Sequence, residues 1–205
     1  MNNRAIKTSA IAILILAYSV IRPVVLSLEP YRAPVLPVDP PFLKAGAAWA
    51  DSVIATLNLE ERIAQMIMVY GYSNMGEAHQ RNVLRQVKHD KVGGILFFQG
   101  EPLEQARLTN LYQEAADIPL LVAIDGENGL GMRLQHTITY PATMILGCIS
   151  DNYLIYDLGR QMGEQFRRLG VHLNLAPVAD VNNNPANPVI GTRSFGEERL
   201  NVTGK

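Results

Sequence analysis

VGGILFFQGEPLEQARLTNLYQEAADIPLLVAID, residues 92–125, decides the fold. It opens with VGGILFF (92–98) and closes with PLLVAID (119–125), two apolar runs too short for helices of ordinary length. Between them, Leu103 to Ala116 reads as a helix. Strands of continuous rather than alternating hydrophobicity are buried on both faces, and a helix linking two of them makes the pair parallel. The same alternation extends outward. On the N-terminal side stand the strand MIMVYGY (66–72) and a helix around Ala78 to His89. On the C-terminal side, Ser150 or Asp151 can cap a helix whose Leu154, Leu158, Met162 and Phe166 recur every four residues up to Gly170, and HLNLAPVADV (172–181) supplies a fourth strand.

Four β–α units fit either of two architectures. A doubly wound sheet nearly closes with this number, whereas a (β/α)8 barrel needs eight strands and about 250 residues. The final RSFGEERLNVTGK reads as a loop entering another helix, so the expectation is a (β/α)8 TIM barrel of which only the N-terminal half to two-thirds is present. Ahead of the first strand, Trp49, Val53, Ile54 and Leu57 share a helix face, and Asn58 with Glu61 forms a candidate capping box. Such a fragment has two open sheet edges and is expected to aggregate in isolation.

The first forty residues read differently. Arg4 and Lys7 precede a twelve-residue apolar run from Ala10 to Ile21 that Arg22 and Pro23 close. A transmembrane helix needs about 20 such residues, so a cleaved export signal is favoured over a signal-anchor, with Ala17-Tyr18-Ser19 as the small-residue cleavage site. Residues 1–28 are accordingly assigned as signal peptide or signal-anchor. Five prolines make residues 29–41 an extended linker, and the domain occupies 42–205. Export places the domain in the periplasm, or outside the cytoplasm on a membrane anchor formed by residues 10–21.

Composition removes other classes. Eighteen Lys and Arg against 19 Asp and Glu give a net charge of -1, without the positive footprint of a nucleic-acid binder. The single cysteine, Cys148, admits no intramolecular disulfide and no multi-thiolate metal cage, and is expected to be buried and inert. His79, His89, His136 and His172 lack metal-ligand spacing, so neither a metal site nor a cofactor is expected.

In parallel α/β folds, ligand groups gather past the carboxyl ends of strands. Two polar, glycine-rich stretches lie there, DGENGLGMRL (125–134) and NNNPANPVIGTRSFGE (182–197). Asp125 ends an apolar strand and must find donors. Its carboxylate suits a vicinal diol, with Arg133 or Arg193 donating a planar fork to neighbouring oxygens. The alternative is an ion pair of Asp125 with one of these arginines that supports the loops. Glu127 is favoured as a loop-stabilising acceptor over half of a catalytic carboxylate pair. Asp180 and Asn182 to Asn184 read as turn formers, with Asp180 able to support the site from behind. The glycine order G-x-x-G-x-G argues against a dinucleotide turn. Tyr70, Tyr72, Phe97 and Phe98 stand at strand ends where sugar-stacking rings occur, although core packing is favoured for most of them.

The strings KVGGILFF, IPLLVAIDGENGLGMRL and LGVHLNLAPVADVNNNPANPVIGTRSFGE resemble the N-terminal barrel domain of family 3 glycoside hydrolases, in the β-N-acetylhexosaminidase branch, over roughly Leu59 to Gly204. The resemblance implies that Asp125, Arg133 and Arg193 bind the substrate sugar. It also implies a retaining exo-β-N-acetylglucosaminidase acting on peptidoglycan fragments or chitooligosaccharides, whose partner is a β-linked N-acetylglucosamine carbohydrate. The full-length protein would then carry a further C-terminal domain. The family's Lys-His motif, acid/base histidine and nucleophilic aspartate fall beyond Lys205, so no catalytic residue is expected within this chain. Asn128-Gly129 departs from the family's two consecutive glycines. A β-glucosidase or β-xylosidase of the same family, or a non-catalytic sugar-binding module, is the alternative.

Overall fold

The computed structural model describes residues 47–205. The expected signal, linker and domain onset at Phe42 lie outside the described residues. Within them, helices α1 (Ala48–Thr56) and α2 (Leu59–Ala64) precede strand β1 (Met68–Gly71). There follow α3 (Gly76–Arg85), β2 (Gly94–Phe97), α4 (Pro102–Ala115), β3 (Leu121–Ile124), α5 (Thr143–Gly147), α6 (Asn152–Arg168), β4 (Leu173–Asn174) and α7 (Arg199–Gly204). Short-range chemistry explains the boundaries. Asn58 accepts from Glu61 N at 2.9 Å while Asn58 N donates to Glu61 Oε2 at 3.0 Å, the reciprocal capping box that starts α2. Asp151 rather than Ser150 caps α6, accepting from Tyr153 N at 2.9 Å.

The four strands are all parallel and lie in the order β1-β2-β3-β4. This sequential order separates the two candidate architectures: a doubly wound sheet reverses direction at a switch point, whereas a barrel adds each strand beside the last. Side chains alternate between two faces. Ile95, Phe97, Val122 and Ile124 turn toward the helices and form the core with Val83 and Val87, Leu108 and Tyr112 of α4, and Met162 and Phe166 of α6. The opposite face carries Tyr70, Leu121 and Leu173, all exposed. It is the face a closed barrel turns inward.

The tandem glycine of VGGILFF has a steric cause. A Cβ on Gly93 would sit 1.9 Å from the Gln65 carbonyl oxygen, and one on Gly94 2.5 Å from that of Leu121. The end of α2 and strand β3 therefore approach β2 at distances no side chain permits. On α4, Gln105, Thr109 and Tyr112 are buried with polar atoms that find no partner among the described residues. Burial pushes the Tyr112 phenol up to about 12.

The structure corrects three expectations. The fourth strand contributes only Leu173–Asn174 to the ladder, because Pro177 has no N–H to extend it. On α6, Ile155 is buried in place of Leu154, which is exposed, so the inward stripe runs Ile155, Met162, Phe166 with Leu158 partly covered. The shared face expected of Trp49, Val53, Ile54 and Leu57 is present, since all four line one open cavity of about 390 Å³ with Met66 and Ile118, and Trp49 and Ile54 remain exposed there. Cys148 is exposed, not buried, with its thiol donating to Met144 O at 3.6 Å. It follows α5 on the side away from Leu146, the residue by which that short helix joins a second apolar cluster with Ile155, Phe195 and Val202. No helix among the described residues is long and apolar enough to cross a membrane.

Candidate functional site

The strand register sets the site. Gly71, Phe97 and Ile124 are aligned on neighbouring strands, so Tyr72, Phe98 and Asp125 follow at their carboxyl ends on the face opposite the helices. Asp125 is anchored at once. Arg133 Nη2 donates to Asp125 Oδ2 at 2.5 Å, and Arg133 Nε donates to the Asp125 carbonyl oxygen at 2.6 Å. The arginine side chain is 13% exposed and the carboxylate 27%. Beneath the guanidinium lies Phe98, with Arg133 Cζ 4.7 Å from the ring centroid. Tyr72 stacks on Phe98 at 5.7 Å and Tyr70 meets it edge-on at 5.5 Å. Asp125 Oδ1 receives no hydrogen bond among the described residues, so half of the carboxylate is left to accept from a ligand.

Backbone pairing holds Arg133 in place. Gly100 N donates to Arg133 O at 3.2 Å and Gln135 N to Gly100 O at 2.9 Å, which joins the segments after β2 and β3. Asn174 of β4 clamps the turn after Asp125, accepting from Gly126 N at 2.9 Å and donating to Gly126 O at 3.3 Å. Gly129 has φ +83, and a Cβ there would meet the Tyr140 ring at 2.7 Å. Asn128, the departure from two glycines, bonds outward: its carbonyl accepts from Tyr140 N at 2.8 Å and its side chain donates to Tyr140 O at 3.4 Å. Gln165 of α6 donates to the Tyr140 hydroxyl at 2.9 Å. The loop thus closes onto a helix.

Arg193 ends a single 3-10 turn, Gly191–Arg193, and pairs with Glu127 rather than Asp125. Its Nε donates to both Glu127 oxygens, at 3.1 and 3.0 Å, its Nη2 to Oε1 at 2.6 Å, and its Nη1 to Val189 O at 3.1 Å. The Glu127 carboxylate raises the guanidinium's pKa above its ordinary value, and the charges of Asp125 and Asp180 add to the shift. Ser194, fully buried, donates to Asp180 O at 2.5 Å and accepts from Gly196 N at 3.2 Å, which secures the loop behind Arg193. A cavity of about 500 Å³ adjoins Glu127, walled by Ile155, Met162 and Phe166 of α6 and by Asn174 and Pro177.

Of the three expected binding residues, the structure joins Asp125 and Arg133 directly and sets Arg193 beside them on a separate carboxylate. The ion-pair alternative for Asp125 is present, with Arg133 as the partner, and the second carboxylate oxygen accepts from none of the described residues. Glu127 is the acceptor expected of it. Of the four aromatics only Phe97 is core. Tyr70 is 64% exposed, and Phe98 supports a guanidinium, so core packing does not describe the group. Two contributors went unread in the sequence, Phe98 as the platform of Arg133 and Asn174 as the clamp on Gly126. The signal for Asn174 was a lone amide inside the apolar run LNLAP.

The family model described as the glycosyl hydrolase family 3 N terminal domain matches residues 58–204. The protein named beta-hexosaminidase LpqI of Mycobacterium tuberculosis is 32% identical over 175 residues, covering 83% of this chain and 43% of that one. Beta-hexosaminidase A of Pseudoalteromonas piscicida is 34% identical over 129 residues, covering 57% of this chain and 21% of its own. Among solved structures, a glycoside hydrolase family 3 beta-N-acetylglucosaminidase from Paenibacillus sp. str. FPU-7 superposes with a TM-score of 0.65 at 34% identity, over 73% of this chain and 29% of that chain. The chain spans less than half the length of each of these relatives. With a parallel sheet in barrel order, an aspartate at the end of β3 and a family match that runs from α2 into α7, the chain belongs to glycosyl hydrolase family 3, whose N-terminal domain it carries.

Proposed function

We propose that the full-length protein is a retaining exo-β-N-acetylglucosaminidase that releases terminal N-acetylglucosamine from peptidoglycan fragments or chitooligosaccharides. The observation that carries this is Asp125, a carboxylate at a strand end with one oxygen tied to Arg133 and the other without a partner among the described residues. An oxygen so held accepts from a sugar hydroxyl without reorganising, and the neighbouring guanidinium groups of Arg133 and Arg193 donate to other sugar oxygens. The beta-hexosaminidase and beta-N-acetylglucosaminidase names of the relatives support the choice of sugar. In this reading residues 47–205 bind and orient the sugar, while the nucleophile and the acid/base come from chain beyond Lys205. A carboxylate attacks the anomeric carbon, the acid protonates the leaving oxygen, and water then releases the covalent sugar. Residues 1–28 export the domain and residues 29–41 tether it.

A panel of aryl β-glycosides offered to the full-length protein tests the proposal. The N-acetylglucosaminide is expected to turn over fastest. Faster turnover of glucoside or xyloside moves the assignment within the family, and sugar binding without turnover of any of them makes the protein a binding module.

A further inference from the structure

Glu127 lies two residues beyond Asp125 but is engaged in a different way. Its side chain is 4% exposed, and both of its oxygens accept from one guanidinium, that of Arg193. Arginine carries five N–H donors. The Nε–H and one Nη2–H go to Glu127 and one Nη1–H goes to Val189 O, which leaves one donor on each terminal nitrogen without a partner among the described residues. We propose that Glu127 is a positioning residue that holds Arg193 so that these two remaining donors serve the sugar site beside Asp125. The proposal rests on the sugar-binding reading given above.

Arg193 needs such a hold. It stands at the end of one 3-10 turn, its side chain is 43% exposed, and a long exposed side chain samples many rotamers unless a buried partner selects one. The other carboxylates whose charge it feels are Asp125 and Asp180. Without Glu127 the guanidinium is drawn to these, and pairing with Asp125 occupies the oxygen that Arg133 leaves unengaged. Loss of Glu127 therefore removes two donors from the site and sets Arg193 against the ligand for the same acceptor. Both effects weaken binding and leave the bond-breaking groups untouched.

The test compares Glu127→Gln, Arg193→Ala and the double variant in the full-length protein, using the aryl N-acetylglucosaminide. Glu127→Gln is expected to raise KM by about 10- to 30-fold with kcat held within about 3-fold, as loss of uniform binding does. The double variant should bind no worse than Arg193→Ala, since a residue that acts through another has nothing further to lose. Arg193→Ala should melt lowest, because it strands a buried carboxylate, and the double variant should regain part of that Tm. A fall in Tm for Glu127→Gln with KM unchanged would overturn the proposal in favour of simple loop support. A collapse of kcat with loss of one limb of the pH profile would overturn it by making Glu127 a reacting group, and additive KM effects would overturn it as well. A second measurement needs no turnover. In ¹⁵N-arginine-labelled protein, the Arg193 Nε–Hε resonance, identified by its loss in Arg193→Ala, should be slowly exchanging in the parent and lost to rapid exchange in Glu127→Gln. An unchanged resonance refutes the positioning role, whereas the expected change in a protein that hydrolyses no sugar counts against the proposed function alone.

Discussion

The two carboxylate–arginine pairs at the strand ends are built from the same chemistry with opposite exposure. In Asp125–Arg133 the arginine is the more buried partner, 13% against 27%, and rests on Phe98. In Glu127–Arg193 the carboxylate is buried at 4% and the arginine is 43% exposed. The more buried member of each pair is the fixture, and in the proposed sugar-binding reading the more exposed member is the one turned first to the ligand, with Arg133 adding the donors its pair leaves over. In that reading one loop presents an acceptor and the other presents donors, the combination that a ring bearing hydroxyl groups requires. Two identical pairs would present a single kind of group.

The largest effect that would break this comparison is expected at Asp125. Asp125→Asn removes the offered charge and leaves a mostly buried guanidinium without its counter-ion, a loss of about 3–4 kcal/mol, or ~10²- to 10³-fold in kcat/KM. Steady-state kinetics of the full-length protein would read it. A smaller loss than that of Glu127→Gln would mean that exposure does not mark the ligand-facing member. Next comes the fixture of the first pair. Phe98→Leu withdraws the aromatic face beneath Arg133, worth about 0.5–2 kcal/mol, and should raise KM about 3- to 10-fold, while Tyr70→Leu, on a ring that reaches the guanidinium only through its edge contact with Phe98, should change it less. Equal effects from the two would remove Phe98 from the support of Arg133.

The smallest effect concerns the shell behind Phe98. His79 Nε2 accepts from Tyr72 N at 3.1 Å, and its ring meets Tyr72 edge-on at 5.5 Å. Burial holds the His79 pKa below its usual 6.5. A histidine whose folded pKa is depressed stabilises the fold fully above 6.5, and that contribution declines as the pH falls below it. The carboxylates held low by their partners, Glu61 by Lys91, Glu104 by Arg107 and Asp157 by Arg160, lose their contribution at lower pH, from about 4.5 downward. Denaturation of the full-length protein at pH 7.5 and pH 5 should therefore show a small loss that His79→Gln, which keeps an acceptor for Tyr72 N, reduces. An identical slope in parent and variant would show that His79 carries no part of it.

Legibility followed distance along the chain. The first three strands are readable because the strands of a parallel α/β sheet are apolar nearly throughout, so MVYG, GILF and LVAI announce themselves within four residues, whereas the early end of β4 is not readable in this way. Both helix caps were readable for the same reason, since Asn58 with Glu61 and Asp151 with Tyr153 lie within one turn. The buried stripe of α6 was read one residue out of phase, because Leu154 and Ile155 are equally apolar and only the position of Phe195 and Val202 favours the second. Cys148 shows the same limit: flanking Gly147 and Ile149 suggest burial, but the residue caps the end of α5 and is exposed.

The order of apolar and polar residues was by itself sufficient to determine a parallel α/β sheet and to mark Asp125 as a carboxylate past a strand end, since both follow from what a buried strand can tolerate. Which arginine would serve which carboxylate was decided only by the tertiary structure. Asp125 reaches Arg133 across 8 positions of chain, while Glu127 reaches Arg193 across 66. The guanidinium groups are chemically identical, so their assignment rests on where β4 and its loop bring Arg193 and on the ring of Phe98, one strand away, that holds Arg133 over Asp125.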